Sequence, residues 1–360
     1  RHSIKGVIYM NARAMLEQAV AENASDIFLV AGRPLSLRKN GVLSMENEER
    51  LLPDDTAAFL KEIYELADNR DIKPLLDHGD DDFSFAIPGV SRFRVSAYKQ
   101  RGTLSAVIRV ITFRLPDYHM LGIPDAIINL GLGGKGMTLI TGPAGSGKST
   151  TLACIIDQIN QTQEKHIITL EDPLEFLHRH NKSIVSQREI HVDTDSYVAA
   201  LRAALRQSPD VILLGEMRDY ETIHVAMTAA ETGHLLFSTL HTIGAANTID
   251  RIIDVFPPNQ QHQIAVQLSM VLNAVVSQQL IPTVDGGVAP AFEIMTVTPA
   301  IRNMIRDNKI PQIDGILYSS AKPDMISMDN SLLALYRSGK ISKEIALTYA
   351  TNPDMLMRKL

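Results

Sequence analysis

A lone cysteine, Cys154, no tryptophan and an aromatic content of only 5% leave this chain few specialised stabilisers. One thiol can close no internal disulfide and supplies no cysteine cage for zinc, so Cys154 is expected to be core. Long apolar runs are missing too. VILLG (211–215) and IITL (167–170) have the length of strands, far short of a membrane span. The net charge of −6 gives no overall basic field to hold nucleic acid. The opening residues, RHSIKGVIYM, have a basic end but no apolar segment of signal-peptide type, so no secretory signal is expected and the cytosol is the default compartment. What the chain does have is 45% hydrophobic residues spread over 360 positions, enough for two or three domains with sizeable cores.

Its most informative stretch is GPAGSGKS, Gly142 to Ser149, which matches the phosphate-binding P-loop G-x-x-x-x-G-K-[ST]. MTLIT, ending at Thr141, reads as a buried strand before it. Leu152, Ile155, Ile156 and Ile159 mark one face of a helix after it. In that setting the loop Gly142, Pro143, Ala144, Gly145, Ser146 and Gly147 is expected to bind nucleotide, its glycines letting backbone N–H groups wrap a β-phosphate, and the helix opening at Lys148, Ser149 and Thr150 adds its dipole. Lys148 is placed to reach the β/γ-phosphates and the Ser149 hydroxyl to hold Mg²⁺, so ATP and Mg²⁺ are the expected cofactors. A second glycine motif, GLGGKG (131–136), precedes a strand where a dinucleotide fold requires it to follow one, and is expected to be a loop.

The pattern changes along the chain. Residues 1–112 read as a small α+β domain. Helices are expected over 12–22 and 54–66, strands in SDIFLVAG and PLSLRKNGVLSM with a turn at Asn40-Gly41, and an antiparallel meander from DDFSFAI to LSAVIRVIT. Residues 113–124 carry two prolines and a glycine and read as a linker. From 125 to 295 the runs MTLIT, HIITLED, DVILLGE and LLFSTLH alternate with helical stretches, which predicts an α/β fold with a parallel sheet covered by helices. Residues 296–360 lack clear strands and read as a helical appendage.

Three apolar runs end in reactive side chains, where a parallel sheet borders its ligand crevice. The first offers Glu171, Asp172 and Glu175, the second Glu216, and the third His234 and His241. ATP hydrolysis needs a metal, a positioned water and charge stabilisation at the γ-phosphate. Glu216 stands at the Walker-B position, yet the aspartate usual before it is Gly215, so Glu171, Asp172 and Glu175 are candidates to help hold the metal's water shell. Plain alternatives exist: a strand-to-loop cap for Glu171–Asp172–Pro173, an ion pair of Glu216 with Arg218, and a hydrogen-bonded core histidine for His234.

Taken in order, the P-loop, EDPLE, LLGEMRD and TGHLLFSTLHT resemble the Walker A, Asp, Walker B and His boxes of the secretion ATPase superfamily of type II secretion and type IV pili. Gly215 in place of the Walker-B aspartate is a trait of that group. The resemblance covers nearly the whole chain: ASDIFLVAGRPLSLRKNG and GVSRFRVSAYKQRG resemble its N-terminal entry and arginine-bearing strands, with Phe28 where histidine is common. PAIRNMIRD, Pro299 to Asp307, is similar to the AIRNLIRE signature of the pilus retraction branch, departing at Met304 and Asp307. The segment from Tyr318 to Asp324 lacks that group's glycine-rich turn. Extension and secretion branches usually carry a four-cysteine zinc insert after the His box, where this chain has no cysteine.

The resemblance implies a RecA-like P-loop ATPase core with a smaller PAS-like N-terminal domain, assembled as a homohexamer. It implies a cytoplasmic location, peripheral at the inner face of the cytoplasmic membrane, with an inner-membrane pilus platform protein and a paralogous pilus ATPase as partners. The implied work is pilus retraction and twitching motility; the alternative is pilus extension or type II secretion. Glu216, Glu175 and His241 would be catalytic, His234 would contact nucleotide, Asp172 and Glu171 would serve Mg²⁺ partly through water, and Arg94, Arg101 and Arg109 would stabilise γ-phosphate charge. Without the family, alternating arginines on a strand read as one solvated face, and Ile301, Met304 and Ile305 as the inward stripe of any amphipathic helix. A nucleic-acid translocase and a small-acceptor kinase share the P-loop. Net acidity and the lack of a recognisable nucleic-acid module count against the first, and nothing obvious forms an acceptor pocket for the second.

Overall fold

A computed structural model describes residues 11–39, 41–320 and 322–360. Asn40 of the expected turn, and residues 1–10 with their signal-peptide reading, lie outside the described residues. The chain divides into two compact units, Arg1–Phe113 and Arg114–Leu360. No described helix is long and apolar enough to cross a membrane.

The first unit runs α1 (Ala12–Ala21), β1 (Asp26–Leu29), β2 (Pro34–Lys39), β3 (Val42–Arg50), α2 (Pro53–Leu66), α3 (Lys73–His78), β4 (Asp80–Ile87), β5 (Ser91–Gln100) and β6 (Thr103–Ile111). Helix α1 starts where the Asn11 side chain accepts the Ala14 N–H, and it buries Met15, Leu16 and Ala19. Helix α2 starts at Pro53, with Asp55 accepting the Leu52 N–H at 2.7 Å. The strands form an antiparallel sheet in the order β3-β2-β1-β6-β5-β4, with α2 packed on β6. Beside this core, buried Asp81 accepts from Arg70 Nη2 and Tyr64 Oη, both at 2.8 Å. Burial alone would raise the Asp81 carboxyl, but these two partners outweigh it and hold the group below its usual range. A depressed folded value stabilises the fold above the free-carboxyl value of 3.8, and that stabilisation is lost as pH falls through the folded value. Asp81→Asn is therefore expected to lower unfolding stability by about 1–2 kcal/mol, discounted because Arg70 is half open to water, and to flatten the acid limb of the stability curve. Denaturant titrations across pH check this; an unchanged acid limb would refute it.

The second unit runs α4 (Asp125–Ile128), β7 (Gly136–Thr141), α5 (Lys148–Thr162), β8 (His166–Glu171), β9 (Ile184–Glu189), α6 (Tyr197–Ala204), β10 (Val211–Leu214), α7 (Tyr220–Glu231), β11 (Leu235–Leu240), α8 (Ala245–Asp254), α9 (Pro258–Val271), β12 (Leu272–Pro282) and β13 (Val288–Thr296). It closes with α10 (Pro299–Arg306), α11 (Gln312–Ser319), β14 (Met325–Ile326), α12 (Met328–Arg337), α13 (Lys343–Tyr349) and α14 (Pro353–Met357). The sheet order is β14-β13-β12-β7-β11-β10-β8-β9. From β12 to β9 all neighbours are parallel, but β13 and β14 are antiparallel, so the sheet is mixed. The parallel expectation fails at that edge because β12 and β13 are joined by a tight turn at 283–287, which only an antiparallel pair can use. Every residue of β7, β10 and β11 is buried, as strands covered on both faces must be. GLGGKG forms a short 3₁₀ turn and loop entering β7.

Leu115, Tyr118 and Leu121 pack against the cluster that holds Ile123 and Ile156, so 113–124 is largely folded into the second unit. Likewise Ile301, Ile305, Ile313 and Leu317 belong to the main core, while α12–α14 gather around their own cluster of Leu332, Ile341 and Leu356. Packing thus does not separate 296–320 from the core as the loss of strand pattern suggested.

Candidate active site

The P-loop conformation is enforced by its neighbours. Gly142 has φ 142°, and a Cβ there would lie 2.1 Å from the Gln278 carbonyl oxygen on β12, so only glycine fits. Thr151, in the first turn of α5, donates its hydroxyl to Gln278 Oε1 at 2.7 Å, tying the helix start to the same strand. Lys148 is buried, and its ammonium donates to Gly142 O at 2.9 Å and Pro143 O at 2.8 Å. Burial holds its pKa below the usual value, while the Glu175 and Glu216 carboxylates pull it upward. The loop's cation is thus drawn onto the loop's own carbonyls, in reach of two acids across the cleft.

That cleft has a volume of about 250 Å³ and lies at the C-terminal ends of the parallel strands. Gly145, Lys148 and Ser149 line one side; Glu171, Asp172 and Glu175 another; Glu216 and His241 a third. Glu216 Oε2 accepts from Arg218 Nε at 2.8 Å and lies 3.6 Å from His241 Nε2. The plain ion-pair alternative is therefore realised, but at the cleft wall and beside His241. Gly215 has a steric reason: a Cβ would come within 2.7 Å of the Tyr197 hydroxyl and 3.1 Å of Leu170 O. An aspartate fits there only if the Tyr197 side chain gives way.

Glu171 ends β8 and accepts the Thr169 hydroxyl at 2.7 Å; burial pushes its carboxyl up to about 7. Asp172 and Glu175 are exposed to the cleft. Among the described residues no three His, Cys, Asp or Glu side chains form a ready metal cage. Magnesium does not need one, since it keeps several waters and takes a carboxylate or two together with phosphate oxygens. A P-loop hydroxyl facing acids across a polar cleft fits that ligand demand.

Other expected site residues fall elsewhere. His234 precedes β11 and His241 follows it, so seven residues at about 3.3 Å, roughly 23 Å, separate them. Strand β11 runs parallel to β7 with Leu240 opposite Thr141, which puts His241 at the P-loop end and His234 at the far end. His234 Nδ1 meets Ala229 O at 3.0 Å and Thr232 Oγ1 at 3.3 Å. The structure therefore does not bring His234 to this cleft; the hydrogen-bonded alternative describes it. In the first unit Arg94 is the cross-strand partner of Arg109, which faces Asp26, which faces Arg38. Arg109 Nε donates to Asp26 at 3.2 Å, so any role at a neighbour's phosphate would require that pair to open. Arg101 is exposed at the β5–β6 turn, with φ 49°. Sequence reading missed Tyr197, Gln278 and Ser277. Only the polar SQQ inside the apolar run of β12 gave a signal, since buried polar side chains imply a dedicated partner.

The type II/IV secretion system protein family matches residues 3–317. The chain is 43% identical over 345 residues to the type IV pilus retraction ATPase PilT of Pseudomonas aeruginosa, covering 96% of this chain and 99% of that protein. It is 37% identical to the type IV pilus ATPase PilU of the same organism, covering 98% of this chain and 92% of that one. Among solved structures, that of the pilus retraction motor PilT with bound ADP superposes with a TM-score of 0.86 at 44% identity, covering 96% of this chain and 98% of that one.

Proposed function

The chain belongs to the type II/IV secretion system protein family, within it to the pilus retraction ATPases, and from that premise we infer that it hydrolyses ATP to power type IV pilus retraction and twitching motility. The observation that carries this is the meeting of Lys148, Ser149, Glu216 and His241 in one cleft of a chain similar to PilT along its whole length. We read the second unit as a RecA-like core and the first, with α2 on an antiparallel sheet, as PAS-like.

In this reading an incoming phosphate chain draws the Lys148 ammonium off Gly142 O and Pro143 O. The Ser149 hydroxyl, with Glu171 and Asp172 through water, would hold Mg²⁺, which would supply charge neutralisation at the phosphates. Glu216 orients a water in line with the γ-phosphate and takes its proton, once its bond to Arg218 loosens. His241 steadies the same carboxylate, and Glu175 supports the metal side. Arg94, Arg101 and Arg109 would act on a neighbouring subunit's phosphate in a homohexamer at the inner face of the cytoplasmic membrane, docked to a platform protein. The likeness to PilU supports a paralogous partner.

Deleting the gene is expected to leave cells with surface pili and no twitching; bald cells would instead favour extension. Arg302 donates to Ser269 O and so pins α10 to α9, whereas Arg306 is open to solvent beside Asn303 and Asp307. A complementing Arg306→Ala allele is thus a cleaner probe of the signature helix than any change at Arg302.

A further inference from the structure

Glu293 on β13 is 5% exposed, and its carboxylate faces the starts of two helices. Oε1 accepts the Ala245 N–H at 2.8 Å, the first residue of α8; Oε2 accepts the Met328 N–H at 3.3 Å, the first residue of α12. The path from His241 to α8 is short and held. Ser277 Oγ accepts the Gly244 N–H at 2.9 Å, and the Thr242 and Thr248 hydroxyls meet at 2.7 Å. On the other side, the Asp329 carboxylate in α12 accepts the N–H groups of Thr351 and Asn352, between α13 and α14, at 2.7 and 3.0 Å. Hydrogen bonds thus run from the His241 segment through Glu293 to α12, and through Asp329 to α14.

Burying a carboxylate is costly, and an apolar side chain would fill the space more cheaply, so the position demands a reason beyond packing. Burial raises the Glu293 carboxyl above its usual range, and the N–H groups of two helix starts offset only part of that cost. Two cavities, of about 300 and 280 Å³, touch Glu293: one between the α8 entry and Thr348–Thr351, the other beside Tyr318, Asp329 and Met355. The bridge therefore joins two segments that have free volume around them.

We infer that Glu293 is a positioning residue that ties the His241 segment to the C-terminal helices, so that nucleotide state and the placement of α12–α14 change together. This rests on the ATPase reading of the cleft. Glu293→Gln keeps the volume but accepts from only one of the two N–H groups, and it should lower kcat roughly tenfold while KM for ATP stays within about twofold. If Glu293 acts through His241, the double variant with His241→Ala should be no worse than His241→Ala alone, within about twofold. Losses that multiply would overturn the inference.

Hydrogen exchange on the unaltered protein needs no variant to fold. Adding a non-hydrolysable ATP analogue should change protection over 242–248 and 328–332 together. A change in the first without the second would overturn the coupling. A P-loop that itself does not respond would instead overturn the nucleotide-binding reading beneath it.

Discussion

Lys148→Ala is expected to abolish ATP hydrolysis, by roughly 10²–10³-fold or more, while leaving the protein folded. The Lys148 ammonium belongs to the P-loop itself, whereas the other Lys or Arg side chain lining the cleft among the described residues, Arg218, is paired with Glu216. Folding should survive because the lysine's own hydrogen-bond partners are two P-loop carbonyls, Gly142 O and Pro143 O, and Pro143 is exposed, so water can take the place of the ammonium there. Phosphate release by purified protein decides the matter, and near-normal activity would end the ATPase reading. The same variant probes the proposed ring. Mixed with Arg101→Ala subunits it should regain part of the activity, since some interfaces then pair an intact P-loop with an intact arginine. No rescue in verified mixed rings would confine Arg101 to its own subunit or to no role.

Glu216→Gln separates chemistry from binding. The amide keeps the shape, and its oxygen can still accept from Arg218, so the cleft wall should stand. It cannot take a proton from water, which predicts a loss of about 10²-fold or more in kcat with ATP affinity retained. Single-turnover hydrolysis and equilibrium binding of ATP measured on one preparation give both numbers. If affinity falls as far as turnover, Glu216 is a structural acid whose business is Arg218 and His241.

The P-loop, with its strand and helix, was legible because each residue type there answers a local demand: glycine at positive φ, lysine at the helix start, aliphatics on one face. Glu216 and His241 were legible because each follows a strand-length apolar run. What escaped lay in contacts between distant segments. Tyr197 begins an ordinary amphipathic helix, and nothing nearby in sequence says that its hydroxyl fills the space beside Gly215. Glu293 sits inside a strand pattern where a lone acid reads as an exposed position, until two remote helix starts are found around it. His234 shows the opposite error: a family motif marks it, while the direction of β11 carries it to the wrong end of the sheet. The antiparallel strand β13, one in from the edge strand β14, escaped because a strand pattern looks the same whichever way its neighbour runs.

The crowding at Gly215 reaches into how such a chain can drift. Positions 215 and 197, eighteen residues apart, share a single volume, since a Cβ at one would stand 2.7 Å from the hydroxyl at the other. A side chain at 215 would have to displace that hydroxyl, and a smaller residue at 197 would leave its space unfilled. The glycine after β10 and the tyrosine that opens α6 are thus one packing unit drawn from two separate elements.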